Sequence, residues 1–427
     1  MIAYRFWYPT ISIEGVFAGW REAGIEDSVA VALIAIDPQL VIYTPNSDAP
    51  YLVGSLDVKD GPMVIELPPG PFVAAVDDHH QGWIIDMGLP GPDAGKGGKH
   101  LLVGPDYDGD LPDGYQVGRS PTYKVLLVLR AMPLGGDLNK AIEALKAVKI
   151  YRLADPGTLV AYVDITGKPV NATPLQWEDN FQFWEKLHEV VEAEPVHPEF
   201  LPMYGLLAGL GIAKGQPFAP DARMKAILER AAKAGRDQLL VSSFDSARPD
   251  RIAWEDRRWE WAGLVDDNGD FRTPYGIDLE ARDRWFTQAM AASPAMFRRK
   301  VGQGSLYWLA VRDGQGEWLD GSNTYKLAVP QPVPASLFWS VTIYDAETRS
   351  QIQTDQNKAA LGSLVLKHTP DTEPLDLYFG PQPPAGREDR WIKTIPDKGW
   401  FTYFRLFGPE APAFDGTWRP GDFEQIT

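Results

Sequence analysis

The rhythm of apolar runs limits the fold of this chain more than any motif does. Between about Val41 and Arg130 the runs are short: YLVGSLDV, PMVIELP, PFVAAVDD, WIIDMG, KHLLVG and TYKVLLVLR. Gly, Pro and Asp turns separate them at roughly ten-residue intervals, the pattern of an antiparallel sandwich or barrel. Strands return after about Ser305 as LYWLAVRD, TYKLAVP, SLFWSVTIYD, LDLYFG and GWFTYFRLFG. In WSVTIYD and WFTYFRLFG the residues alternate, which sends successive side chains to opposite faces. Ser340, Thr342 and Tyr344 then share one face, with Trp339 on the other. Arg405 shares a face with Phe401, Tyr403 and Phe407. A buried cation is costly unless paired, so Arg405 is expected to meet a carboxylate or to sit at a cleft edge.

Between the two β stretches the period is helical. Thr173 can cap a helix with Pro174 at its first position and Gln176 reaching back. Trp177, Phe181, Trp184, Leu187, His188 and Val191 continue it as a stripe. Further helices are expected at 198–212, 221–240 and 277–299. Residues 4–20 also show helical spacing, and Pro9 there suits only a first turn or a kink. Their aromatic face is expected to pack on the first sheet. Ala141 to Lys149 reads as a short helix, and Thr158 to Ile165 as a strand or an irregular connection. A length of 427 residues suits two or three units. The chain is therefore expected to be mostly β with a helical connector, an α+β fold. Its parts are an N-terminal helical segment (1–40), a β domain (41–165), the connector (166–300) and a C-terminal β-sandwich (301–427).

A net charge of −17 repels phosphate backbones and anionic lipid, so neither nucleic acid nor membrane is an expected partner. With no cysteine there can be no disulfide, thiolate metal site or Cys nucleophile. The redox compartment stays open. The apolar run SVAVALIAI is far shorter than the ~20 residues of a membrane helix. The opening MIAYRFWYPTISIEG has no basic stretch before an apolar core, so no signal peptide is expected in this chain.

The chain contains no H-E-x-x-H and no G-x-S-x-G. GPDAGKG at 91–97 is one residue short of a phosphate loop and lacks the Ser or Thr after its Lys, so it reads as a flexible loop. The densest polar cluster is Asp77-Asp78-His79-His80, followed by Trp83. In a strand each face would carry one carboxylate and one imidazole. Such pairs orient a general base or supply two ligands of a divalent metal, with Asp48 or Asp86 as a third. They also cap strand ends. Asn46, Asp48 and Tyr51 in TPNSDAPY are turn formers that could equally aim into a cleft. Arg119 could hold a substrate carboxylate or pair with a surface acid. His100, His188, His197 and His368 are scattered and read as structural.

The long motifs resemble a two-domain family, domain of unknown function 1254 followed by domain of unknown function 1214. YTPNSDAPYLVGSLDVKDGPMVIELP, KHLLVGPDYDGDLPDG and VGRSPTYKVLLVLR carry the first half. LDGSNTYKLAVP, FWSVTIYDAET and DRWIKTIPDKGWFTYFRLFGPEAPAFDGTW carry the second. The resemblance implies an Ig-like N-terminal domain, a jelly-roll-like C-terminal sandwich, frequent export and a homo-oligomer. It implies no reaction. Two departures stand out: Ala49 where similar chains have Thr, and the Asp-His-His run at 78–80.

Three functions remain open at this stage. One is a hydrolase or lyase acting on a small organic substrate in a cleft between the β domains. Its catalytic group would be His79 or His80 with Asp78, and its binding groups Asn46, Asp48, Tyr51, Arg119 and Trp83. No cofactor is expected beyond the divalent-metal alternative. The second is a non-catalytic binder of a sugar, lipid or aromatic ligand. The third is an oligomeric structural protein.

Overall fold

The run TYKVLLVLR is apolar at nearly every position because both of its faces are covered. In the computed structural model, which describes residues 1–264, 270–366 and 373–426, it forms the strand Lys124–Ala131. Val125, Leu127, Leu129 and Ala131 point into a sandwich core. Leu126 and Val128 point the other way, toward the N-terminal helix. This strand is third from one edge of a six-stranded sheet. The order is Ala161–Asp164, Ala30–Ala35, Pro50–Asp57, Lys124–Ala131, Phe72–Asp78, Trp83–Gly88. A five-stranded sheet packs on it, in the order Asp155–Leu159, Lys149–Arg152, Met63–Leu67, Gly98–Val103, Tyr115–Arg119. Leu52, Leu56, Met63, Ile65 and Leu102 fill the space between the sheets.

The β unit starts earlier than the turn rhythm suggested. SVAVALIAI supplies the strand Ala30–Ala35, covered on both faces like Lys124–Ala131. It pairs in parallel with Ala161–Asp164.

Helix α1 spans Ile2–Glu22 with Pro9 in its interior, not near its first turn. It is buried almost all round, as expected of a helix apolar on every side. Its first half packs among helices through Tyr4 and Trp7, with Tyr4 stacked on Phe183 further along the chain. Only its second half, with Ile13, Phe17 and Trp20, lies on the first sheet. Gly15 permits this depth: a Cβ there would stand 2.5 Å from the Pro174 nitrogen.

The other helices are α2 (Leu138–Lys146), α3 (Gln182–Ala193), α4 (Leu201–Ala208), α5 (Ala222–Phe244), α6 (Leu279–Gln288) and α7 (Pro294–Phe297). Two expectations need correction. The helix expected to start at Thr173 begins only at Gln182. Residues 174–178 make a single turn, in which Pro174 O accepts from Trp177 N and Glu178 N. There Glu178 is drawn into a buried ion pair with Arg349, 2.7 Å away. The helix expected over 277–299 breaks at 289–293. Two side chains from the first β unit capture the broken backbone: Gln81 Oε1 accepts from Ala291 N (2.8 Å) and Asp77 Oδ2 from Ala292 N (2.7 Å). No helix among the described residues is long and apolar enough to cross a membrane.

The second β unit again pairs two sheets. One has the order Glu260–Trp261, Ser305–Ala310, Trp400–Pro409, Ala335–Asp345, Ala360–Gly362. The other has the order Trp391–Lys393, Leu375–Gly380, Thr324–Val329, Phe423–Ile426. Trp308, Val341, Ile343, Phe404 and Leu406 turn inward to the core between them. The fold is thus mostly β, with two sandwich-like units and a helical connector.

Candidate functional site

The alternation that fills one face of each large sheet leaves its other face free to meet the other unit. Where the two outer faces meet they enclose a cavity of about 590 Å³, within the ordinary range for small-molecule sites. The floor comes from the first sheet. Tyr51, Arg130 and Val73 are register partners across three strands, and Val53, Val128, Ala75 and Asp86 form the next row on the same face. The roof comes from the second unit, where Tyr307, Arg405 and Ser340 are register partners. Phe407 and Tyr403 flank Arg405 on the same face. Trp20 of α1 and the 289–296 segment between and within α6 and α7 supply walls.

Arg405 is 3% exposed. Its Nη2 donates to Thr44 O (3.0 Å), while its Nη1 makes no hydrogen bond. The guanidinium lies over the rings of Tyr403 (4.8 Å), Tyr344 (5.5 Å) and Tyr307 (5.7 Å). Arg130 lies 5.2 Å over Phe407, and burial, which disfavours its charge, is outweighed by Tyr51 and Tyr307 beside it. Among the described residues, no carboxylate comes within 4.0 Å of either guanidinium. Asp48 is the acid nearest in effect. Burial pushes its carboxyl up, against the pull of Ser340 and the two arginines. Ser340 Oγ donates to its Oδ2. Two cations therefore face one carboxylate whose ionisation is itself disfavoured.

At the other end of the floor stands Asp86. Burial raises its pKa to about 6, against the opposing influence of Ser293, Trp83, the charge of Arg298 and the Ala295 amide.

The structure separates the residues singled out in the sequence. Asn46 and Tyr51 line the cavity, and Asp48 is held beside Arg405 by Ser340. The turn they belong to docks one β unit on the other. Thr44 N donates to Arg349 O (2.8 Å), and Pro45 O accepts from Tyr344 Oη (2.9 Å) and Gln351 Nε2 (3.2 Å). Asn46 Oδ1 accepts from Asp48 N within the turn. Arg119 is exposed at the end of an edge strand of the other sheet, away from the cavity. Trp83 is 41% exposed and lies near Asp86.

Asp78, His79 and His80 do not line the cavity. Asp78 Oδ1 accepts from His80 N and Gly82 N, closing the turn after its strand. His79 donates to Glu194 (2.8 Å) and Glu14 (3.2 Å), with its ring 2% exposed. Burial opposes its charge, but the two glutamates prevail and raise its pKa to about 9. An imidazolium held in this way cannot serve as a base at neutral pH. Burial, then the charges of His79, His197 and Arg282, keep His80 neutral; its Nδ1 lies 2.9 Å from Thr10 Oγ1. The catalytic assignment to these three residues is therefore not carried forward. Among the described residues, no group of three His, Asp or Glu side chains could hold a metal ion. His100 and His197 are buried outside the cavity and His188 is half-buried on α3; His368 lies outside the described residues.

Arg130, Tyr307 and Ser293 escaped the reading of the sequence. The signal for Arg130 was available: it is in phase with Leu126 and Val128 on a strand face whose other charge is Lys124 at its start.

Two family models match the chain, each described as a protein of unknown function: DUF1254 over residues 33–152 and DUF1214 over residues 304–411. The chain belongs to this two-domain family. The two matches hold the floor and roof strands that carry Arg130 and Arg405. The VPA0106 protein from Vibrio parahaemolyticus is similar in structure, with a TM-score of 0.59 at 17% identity, covering 100% of this chain and 98% of that one. An uncharacterised protein from Burkholderia cenocepacia aligns with a TM-score of 0.45 at 12% identity, over 99% and 88% of the two chains. No curated protein matches the sequence.

Proposed function

We propose that this family member binds a small, largely apolar molecule through a carboxylate, in the cavity between its two β units. The observation that carries this reading is Arg405: a buried guanidinium on the cavity wall, with Nη1 unbonded and no carboxylate in ion-pair reach. A buried cation without a counter-charge is unfavourable, and a planar anion matches its fork of donors. Arg130 supplies a second cation from the opposite wall. Apolar floor and roof residues such as Val128, Met290 and Phe407 supply the rest of the surface.

Binding is preferred to turnover because the groups that carry the reading, Arg405 and Arg130, are cations that receive an anion and supply neither a base nor a nucleophile. The test is titration calorimetry with octanoate and with an aromatic carboxylate. The expected outcome is saturable binding that weakens roughly 10–100-fold in Arg405→Met, the loss of a hydrogen bond to a charged group. Arg130→Met serves as the second variant, with a similar direction. Octanoate affinity unchanged in both variants would overturn the proposal. A bound molecule recovered chemically altered would move the reading to the hydrolase or lyase class.

A further inference from the structure

The proposed carboxylate site occupies one part of the cavity, and Asp86, with the charge of Arg298 nearby, lies on another part of its lining. Asp86 is 6% exposed and lines the same cavity. Its Oδ1 has no hydrogen-bond partner, while Ser293, Trp83 and the Ala295 amide lie near enough to act on the carboxyl. A buried carboxylate oxygen with a free lone pair forfeits hydrogen-bond energy unless a donor reaches it.

The sheet register fixes its place. Arg130 pairs with Val73, and Val73 pairs with Gly88, two residues beyond Asp86. Asp86 is thus two strands and two residues from Arg130, or about 12 Å between backbones at ordinary strand spacing and rise. The floor between them is small and apolar: Val73, Ala75 and Val128. A molecule lying along this floor with its carboxylate at the arginines would bring its far end to Asp86.

We infer that the ligand is bifunctional, with a carboxylate received by Arg405 and Arg130 and a hydrogen-bond donor, an ammonium or a hydroxyl, received by Asp86 about one apolar chain length away. This rests on the carboxylate-binding reading above and adds the second head and its distance. A second carboxylate at that end would meet Asp86 as an acceptor against an acceptor. A plain hydrocarbon end would leave Oδ1 unpaired.

The experiment compares octanoic acid, ω-hydroxyoctanoic acid, ω-aminooctanoic acid and octylamine by calorimetry, on the wild-type chain and on Asp86→Asn and Asp86→Leu. One or both of the donor-bearing acids are expected to bind wild type roughly tenfold or more tighter than octanoic acid. The hydroxy and amino arms separate the two kinds of donor. Asp86→Leu is expected to erase that preference while retaining octanoic acid, and octylamine is expected to bind weakest to wild type. Circular dichroism and the retained octanoic acid binding show that the variants fold. If octanoic acid binds in an Arg405-dependent manner but neither donor improves it, the second head is refuted and the carboxylate reading stands. If none of the acids binds, both fall.

Discussion

The His79 site predicts a particular pH dependence of stability. His79 is raised from an ordinary value of 6.5 to about 9, and Glu14 is lowered from 4.5 to about 2. For Glu14 burial acts the other way, and the His79 and Arg21 contacts overcome it. A group raised in the folded state contributes fully below its unfolded value and loses that contribution as pH rises through its folded value. A lowered carboxyl contributes above its unfolded value and loses that contribution as pH falls through its folded value. The shared window runs from about pH 5 to about pH 6.5. Both shifts reflect one pairing and are not additive, so the His79 shift alone sets the scale: about 3 kcal/mol below pH 6.5, roughly half of it left at pH 8, and little at pH 9. The perturbation is His79→Gln, which keeps a polar side chain and removes the titration. Urea unfolding of wild type and variant at pH 6, 7, 8 and 9 gives the difference in stability at each pH. That difference should shrink by about 2–3 kcal/mol across the range, whatever constant cost the substitution adds. A difference that stays level from pH 6 to pH 9 would refute the imidazolium between two glutamates.

Two further outcomes follow from groups that join the units. Glu178→Gln leaves the fully buried Arg349 without its charge partner and turns one of the two carboxylate oxygens, which accept from Tyr8 and Arg236, into a donor. A drop of roughly 3–5 kcal/mol is expected in denaturant unfolding, and a change under 1 kcal/mol would contradict the pairing. Gln81→Ala removes the acceptor of Ala291 N and the donor to Pro9 O. Amide exchange at Ala291 should quicken and carboxylate affinity should fall, because the 289–293 segment walls the cavity; exchange at its wild-type rate would show that the segment holds itself.

Strands were legible in the sequence wherever local pattern and tertiary burial agree. WSVTIYD and WFTYFRLFG carry their face assignments in their own alternation, and the observed register keeps Arg405 with Phe401, Tyr403 and Phe407. Helix boundaries failed where a distant partner overrides local propensity. The chain at 173–178 has a sound capping signature, yet Glu178 answers to Arg349, 171 positions away. The break at 289–293 has no punctuating Gly; Ala291 takes a left-handed φ of 58°. Such a conformation is unfavourable for Ala by itself, and it persists where Gln81 and Asp77 take up the amides on either side of the bend.

The same logic explains why the candidate site was only half visible. TPNSDAPY and DDHHQ look like catalytic clusters because both concentrate polar side chains beside strands. Their polarity is spent on joining elements far apart in sequence. Thr44 and Pro45 meet the second β unit, while Asp77, His79, His80 and Gln81 gather α1, the end of α3 and the bend after α6. Most of the polar atoms of these turns are taken up inside the protein, and Asn46 Nδ2, Asp77 Oδ1 and His80 Nε2 are the exceptions. The charged cavity-lining side chains with an unsatisfied atom among the described residues, Arg405 at Nη1 and Asp86 at Oδ1, sit singly within apolar strand contexts, where no cluster advertises them. A cavity assembled from two sheet faces draws each polar group from a different strand. Its chemistry therefore appears in sequence as isolated charges in phase with an apolar face, and the density of polar residues is a poor guide to it.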